Sequence, residues 1–333
     1  MAELRYDPLT SDWIMIASHR QGRPQMPKDW CPFCPGSGKV PDEFDVFMYE
    51  NDFPALSQTP APRDDVKTDF YEMADSYGKC EVILYSPEHT ITLPELPDPH
   101  VRKLVDLWIE RYEVMKSDEQ IKYIYIFENR GDIVGVTMPH PHGQIYGYSF
   151  IPKKLELEID SSKKHLDKTG HCLFCDILAD EVGHGDRIII ENEDFYAFLP
   201  FFSAYPYGMY IASKAHKSEI NEFNDREKDN LAKIIKETSG TLDCLFDYPF
   251  PYMMCMHNAP VNSEDVSNCF HFHIEFFPPM RSEDKQKFNA SSETGAWAHC
   301  NPTSPEEKAE ELRAAYEKFK NKLNKFSRKE KSK

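Results

Sequence analysis

Two cysteine pairs and two histidine pairs hold the reactive side chains of this sequence. Cys31 and Cys34 flank Pro32-Phe33, Cys172 and Cys175 flank Leu173-Phe174, and His-x-His occurs as His140-Pro141-His142 and as His271-Phe272-His273. Between each cysteine pair and its histidine pair stands one more histidine, His89 after Ser86-Pro87-Glu88 and His216 after Ser213-Lys214-Ala215. Structural zinc takes four Cys or His ligands in a tetrahedron and leaves no position for water. Cys31, Cys34, His89 and His140 make one such set, and Cys172, Cys175, His216 and His271 make a second. Taken singly, each histidine could be a core residue bonded to a carbonyl and each Cys-x-x-Cys a redox dithiol; the twofold order of ligands favours metal. A rival for the second set is Glu158, His257, His271 and His273, a carboxylate–imidazole group suited to iron or zinc. It shares His271, so the two cannot both hold in full, and the cysteine version mirrors the first half.

On a strand, His-x-His puts both rings on one face because side chains alternate with period two. If His140 is committed to metal, His142 lies beside it on the same face and is a candidate for other work. Pro141 stiffens the pair, Gly143 permits close approach of a ligand, and Gln144 offers an amide near the imidazole. A neutral imidazole can attack phosphorus to give a phosphoramidate that a second nucleophile discharges. The competing reading of His142 is a packing histidine.

The elements that must position these groups are themselves repeated. An Asn follows the second cysteine of each pair by seventeen residues (34 to 51, 175 to 192), within Glu50-Asn51-Asp52-Phe53 and Glu191-Asn192-Glu193-Asp194-Phe195. An Asp follows each single histidine by nine (89 to 98, 216 to 225) and opens a helical stripe: Val101, Leu104, Val105, Leu107, Trp108 and Tyr112, then Leu231, Ile234, Ile235, Leu242 and Leu245. The patterns predict helices over 98–116 and 225–246, with Asp as the cap of both. Strands are expected at 13–17, 81–85, 121–128 and 144–151, and again at 187–190, 209–213, 252–257 and 270–277. The fold class is therefore α+β, two tandem repeats, each a mostly antiparallel sheet with one main helix. The halves are expected at 1–152 and 171–333, with the charged stretch 153–170 as their connection and 305–333 as a terminal helix.

The chain has 333 residues, ample for a large core, and 40% of them are hydrophobic, which rules out a disordered polymer. With 39 Lys+Arg against 56 Asp+Glu the net charge is −17, which argues against nucleic acid or an anionic membrane as partner. The polar start, Met1 to Thr10, lacks the layout of a signal peptide, and nine cysteines, an odd number, read poorly as a disulfide framework. A cytoplasmic location is the expectation.

Phe127-Glu128-Asn129-Arg130-Gly131 followed by Pro139-His140-Pro141-His142-Gly143-Gln144 closely resembles the active-site motif of the galactose-1-phosphate uridylyltransferase family, which belongs to the histidine-triad superfamily and is built of two fused triad-like repeats. The resemblance runs along nearly the whole chain. Ser18-His19-Arg20 and Arg23-Pro24 resemble the family's phosphate-contacting segment, and Asn51-Asp52-Phe53-Pro54-Ala55-Leu56 its uridine-binding segment. It implies that His142 takes UMP from UDP-glucose and passes it to galactose 1-phosphate, with Gln144 holding a phosphoryl oxygen and Asn129 nearby. It further implies that Arg20 and Arg23 neutralise phosphate, that Asn51, Asp52 and Phe53 bind the nucleoside, and that Lys287 and Glu293 lie in the hexose-contacting segment. A homodimer and two structural zinc sites, with iron an alternative at the second, belong to the same picture. Many members have Cys-Ser where this chain has Val136-Thr137; Thr137 still offers a hydroxyl. Two alternatives remain open at this point: an ADP-sugar phosphorylase of the same fold, and a zinc-stabilised nucleotide-binding protein without turnover.

Overall fold

The computed structural model describes residues 2–22, 30–64, 66 and 68–330. In chain order its elements are β1 (Glu3–Asp7), β2 (Asp12–Ile16), β3 (Phe47–Glu50), β4 (Met73–Asp75), β5 (Gly78–Leu84), α1 (Asp98–Lys116), β6 (Tyr123–Arg130), β7 (His142–Tyr148), α2 (Lys153–Thr169), α3 (Leu173–His184), β8 (Ile188–Glu191), β9 (Phe195–Phe198), β10 (Tyr210–Ser213), α4 (Asp225–Asp243), β11 (Tyr252–His257), β12 (His273–Phe277), α5 (Ser291–Ala296) and α6 (Pro305–Glu330). Nine strands form one antiparallel sheet in the order β3-β5-β7-β6-β11-β12-β10-β9-β8, and β2-β1-β4 form a small separate one. The halves meet where β6 pairs with β11, Arg130 opposite Tyr252 and Ile126 opposite Met256. On either side of that seam lie the counterpart histidine strands, β7 and β12. The duplication read in the sequence is thus a pair of triad-like units fused into one continuous sheet.

Strand alternation divides the sheet into two faces. Ile83, Ile124, Ile126, Ile145, Ile211, Met254, Met256 and Ile274 point to the face covered by α1 and α4, where Val101, Leu104, Trp108 and Tyr112 meet Leu231, Ile234, Ile235 and Leu242 in the main core. The opposite face carries the polar chemistry. The main helices form where the apolar stripes predict them, but their caps differ. The α4 cap is Asn224, whose side chain accepts the Glu227 N–H, while α1 starts from Pro97 with no side-chain cap. Asp98 and Asp225 are instead first-turn residues, where a carboxylate meets the positive end of the helix. Helix α4 also stops at Asp243, three residues early, because that carboxylate accepts the Phe250 N–H and turns the chain toward β11.

The stretch 153–170 is a helix with a job on the sheet. Leu155 and Ile159 of α2 pack with Tyr123, Tyr146, Tyr148 and Phe270 on the polar face. Its two inward apolar residues among many charges left only a weak stripe, so the sequence pattern read as a tether. The short strands β1, β3, β4 and β9, three to five residues each, were missed for a related reason: so few residues cannot display a period.

Tyr85, just past β5, lies fully buried beneath β7. A Cβ on Gly143 would fall 2.3 Å from the Tyr85 hydroxyl and 3.0 Å from the Phe127 carbonyl oxygen. Glycine is required here for close approach. Gly143→Ala is expected to lower stability by about 1–3 kcal/mol through overpacking, read as a reduced midpoint in denaturant unfolding with an unchanged slope.

Candidate active site and metal centres

Both cysteine–histidine sets are assembled by the fold. In each, one donor atom from every residue lies within 4.8 Å of the others; a tetrahedral zinc with sulfur and nitrogen ligands sets such separations at about 3.3–3.8 Å. The rings are turned as a metal requires. His140 Nε2 donates to the Ser86 carbonyl at 2.7 Å, which leaves Nδ1 3.8 and 3.6 Å from the Cys31 and Cys34 sulfurs, and His89 Nδ1 lies 3.4 Å from Cys34. In the second set His271 Nε2 faces the Ser213 carbonyl at 3.1 Å and Nδ1 faces Cys175 at 3.4 Å. His216 Nε2 donates to the Ser267 carbonyl at 2.7 Å, with Nδ1 3.3 Å from Cys175. Backbone carbonyls that fix the outer ring nitrogen are the usual support of a ligating imidazole.

The electrostatics agree. Burial holds His140 down to about 4, keeping the imidazole neutral, and burial likewise lowers His271. Burial pushes the Cys31 thiol up to about 11, so thiolate there needs a cation beside it. In the second pair the sulfurs share a proton: the hydrogen bond from Cys175 lowers Cys172, and Cys172 raises Cys175. The donor sets therefore fit a metal, with every tetrahedral position supplied by protein.

A third group, Glu158, His257, His273 and Glu275, comes together on the same sheet face. The structure divides the rival set foreseen in the sequence: His271 goes to the cysteines and Glu275 takes its place. Glu158 Oε2 lies 2.9 Å from His257 Nδ1, and His257 Nε2, buried without a hydrogen-bond partner, is 3.6 Å from Glu275. Burial alone would raise the Glu275 carboxyl, but His257, His273 and Lys154 hold it well below the carboxylate range. Beside this group a cavity of about 360 Å³ opens, walled by Phe174, Ile177, Phe202 and Tyr210. Glu275 was legible in principle, since the repeat aligns it with Gln144.

His142 begins β7, half-buried, with Phe33 of the first Cys-x-x-Cys edge-on at 5.8 Å. Its Nδ1 lies 2.8 Å from the His140 carbonyl oxygen. A carbonyl only accepts, so Nδ1 carries a proton, and when the ring is neutral its lone pair is at Nε2. Gln144 follows on the same face, opposite Val82 and Phe127, and by the same register Asn129 falls opposite His142. His19 donates to the Pro54 carbonyl at 3.1 Å, linking the 18–22 turn that carries Arg20 to the 51–56 segment. Within 51–56, Asn51 accepts the Phe53 N–H at 2.9 Å in a side-chain turn, and the Tyr49 hydroxyl donates to Asp52 at 2.8 Å. Thr137 is exposed in the loop before β7. Arg23 lies outside the described residues. Lys287 and Glu293 sit 3.8 Å apart in the second half, the ammonium over the Tyr205 ring.

Sequence reasoning missed the support behind this face. Glu128 is buried between the Tyr85 and Tyr252 hydroxyls at 3.3 and 3.2 Å, next to a bidentate Arg130–Asp243 pair at 2.9 Å. Burial raises Glu128 to about 7 against the pull of Arg130.

A duplicated antiparallel sheet with an imidazole and an amide two residues apart on one face of a central strand is the architecture of a nucleotidylyltransferase of the triad type. Residues 1–152 match the galactose-1-phosphate uridyl transferase N-terminal domain, and residues 158–324 the C-terminal domain of the same description. The chain is 43% identical over 314 residues to the galactose-1-phosphate uridylyltransferase of Thermotoga maritima, covering 94% of this chain and 98% of that one. A solved uridylyltransferase structure superposes with a TM-score of 0.87 at 30% identity, covering 95% and 99% of the two chains. An ADP-glucose phosphorylase from Arabidopsis thaliana with bound ADP-glucose, at a TM-score of 0.71 over 94% and 99%, is 24% identical and shares the fold. The chain belongs to the galactose-1-phosphate uridylyltransferase family.

The raised Glu128 has a pH consequence. Its carboxyl keeps a proton in the folded chain over a range where the unfolded chain has lost it, so stability falls as pH rises from about 4.5 to about 7 and then levels. A shift of that size corresponds to roughly 3 kcal/mol. Glu128→Gln, neutral throughout, should gain stability relative to the parent between pH 5 and pH 8, measured as the difference in thermal midpoint at the two pH values.

Proposed function

We propose that the chain transfers UMP from UDP-glucose to galactose 1-phosphate through a uridylyl-histidine at His142. The observation that carries this is the Nδ1–H bond from His142 to the His140 carbonyl at 2.8 Å, which puts the ring's proton on Nδ1 and its lone pair on Nε2. Nε2 attacks the α-phosphorus of UDP-glucose; an N–P bond forms and glucose 1-phosphate departs with the electrons of the P–O bond. A phosphate oxygen of galactose 1-phosphate then attacks the same phosphorus, giving UDP-galactose and returning the electron pair to Nε2. The two half-reactions use one site in turn, so the kinetics are ping-pong.

Gln144 donates its amide to a non-bridging phosphoryl oxygen, where charge grows in the transition state. Arg20 and Arg23 neutralise the diphosphate, Asn129 and Thr137 add polar contacts, and Asn51, Asp52 and Phe53 take the nucleoside. Lys287 and Glu293, in the second half, meet the hexose phosphate across the interface of a homodimer. The two cysteine sets hold structural zinc, which brings positive charge to the buried thiolates and binds loop to strand. Iron, if present, belongs to the carboxylate–imidazole group around Glu158 and His257. Transfer of AMP from an ADP-sugar is the second reading; the 43% identity to a uridylyltransferase against 24% to the phosphorylase favours uridine.

Exchange of UMP between UDP-glucose and labelled galactose 1-phosphate is the deciding assay. Activity confined to ADP-glucose plus phosphate would overturn the uridine reading. His142→Ala should reduce exchange by at least about 10³-fold while metal content and thermal midpoint stay at parental values; retained turnover would mean another nucleophile. Metal analysis of the reduced protein should show one equivalent of zinc lost in Cys34→Ser and one in Cys175→Ser, with the first variant also losing exchange because it releases the loop beside His142.

A further inference from the structure

Along β7 the residues on the polar face are His142, Gln144, Tyr146 and Tyr148. The first two are the proposed nucleophile and its amide partner. The Tyr146 hydroxyl lies 3.0 Å from Gln144 Oε1 and donates to it. Its ring is almost wholly buried, 6% exposed, wedged edge-on against Phe127 at 5.1 Å and facing Cys80 of β5 and Tyr125 of β6 across the ladder. Few rotamers are open to a tyrosine in such a slot, so the hydroxyl is held in place beside Gln144.

We propose that Tyr146 is a positioning residue for nucleotidyl transfer: by occupying Gln144 Oε1 it holds the amide with Nε2 toward the reacting phosphoryl group. An amide is two-sided. Turned the other way, its carbonyl oxygen would face the phosphate oxygens and repel them, and the hydroxyl would accept from Nε2 instead of donating to Oε1 as it does here. The register adds distance control, because residues two apart on a strand project in parallel and Tyr146 braces Gln144 from the side remote from His142. The second half supplies the contrast. The repeat places Glu275 where Gln144 stands and Phe277 where Tyr146 stands, so that half has neither the neutral amide nor the hydroxyl that would orient one. Amide and hydroxyl occur together on the strand with the proposed nucleophile.

The inference rests on the uridylyl-transfer reading, so exchange by the parent chain is measured first; a parent without exchange sinks that reading, and an active parent leaves the test of Tyr146 to the variants. Tyr146→Phe keeps the ring and removes the donor. It should lower kcat for UMP exchange about tenfold, the loss of one hydrogen bond used in the transition state, with KM for both sugar substrates changed less than about twofold. In a Gln144→Ala background the same substitution should cost nothing further, since the group it orients is gone. Equal losses in both backgrounds would assign Tyr146 a structural role and overturn the proposal, as would an unchanged kcat in the single variant. Thermal midpoint and zinc content of each variant confirm that folded protein is compared.

Discussion

His140 is the residue on which the active face depends. Its ring is turned by the Ser86 carbonyl so that Nδ1 meets the cysteine sulfurs, and its own carbonyl accepts the hydrogen bond of the neighbouring His142 imidazole. One residue thus ties the metal loop to β7 and selects the tautomer of His142. The restraint matters chemically because a nucleophilic imidazole must present one defined nitrogen along one direction, and a ring free to spin would present either. Pro141 between the two histidines removes a backbone freedom that would otherwise weaken both bonds.

Behind that face the sheet is backed by material that cannot yield. Tyr85 fills the space under Gly143, and its hydroxyl rests on Glu128, itself enclosed with Tyr252 beside the Arg130–Asp243 pair. Asp243 ends α4 and Arg130 ends β6, so the network joins the helix layer to the seam between the halves. Interiors packed at this density transmit displacement rather than absorb it, and a strand held so from below keeps its outward side chains within the fraction of an ångström that phosphoryl transfer demands.

The two halves show how one scaffold carries two different polar faces. Both keep the cysteine–histidine set, the ring-to-carbonyl bond of the second histidine at 2.8 or 2.9 Å, and a phenylalanine from Cys-x-x-Cys against that histidine. They part along the histidine strand and in the set of that phenylalanine. A carboxylate replaces the amide, and Phe174 lies stacked on His273 at 4.4 Å where Phe33 stands edge-on and farther from His142. A carboxylate beside the histidine favours a cation, whereas an amide in its place brings no negative charge. The net charge of −17 sets neither outcome; the sign of a few residues on one sheet face does.

Much of this was legible in the sequence because its signals are local or periodic. The ligand spacing around Cys31 and Cys172, the stripes of α1 and α4, and the His-Pro-His-Gly-Gln string each lie within a short window or repeat at fixed intervals, and the fold assembled both cysteine sets as the spacing implied. What the sequence could not determine are pairings set by distance in space. Whether His271 joins the cysteines or Glu158, that Glu128 is enclosed by Tyr85 and Tyr252, that α2 folds back onto the sheet, and that Tyr146 bonds Gln144 in a slot bounded by β5 and β6 all depend on which strands lie adjacent and on which face. Residue type and period are properties of a segment, so the chain declares them by itself. Burial and partnership are properties of packed neighbours, and only the closed sheet with its helices decides them.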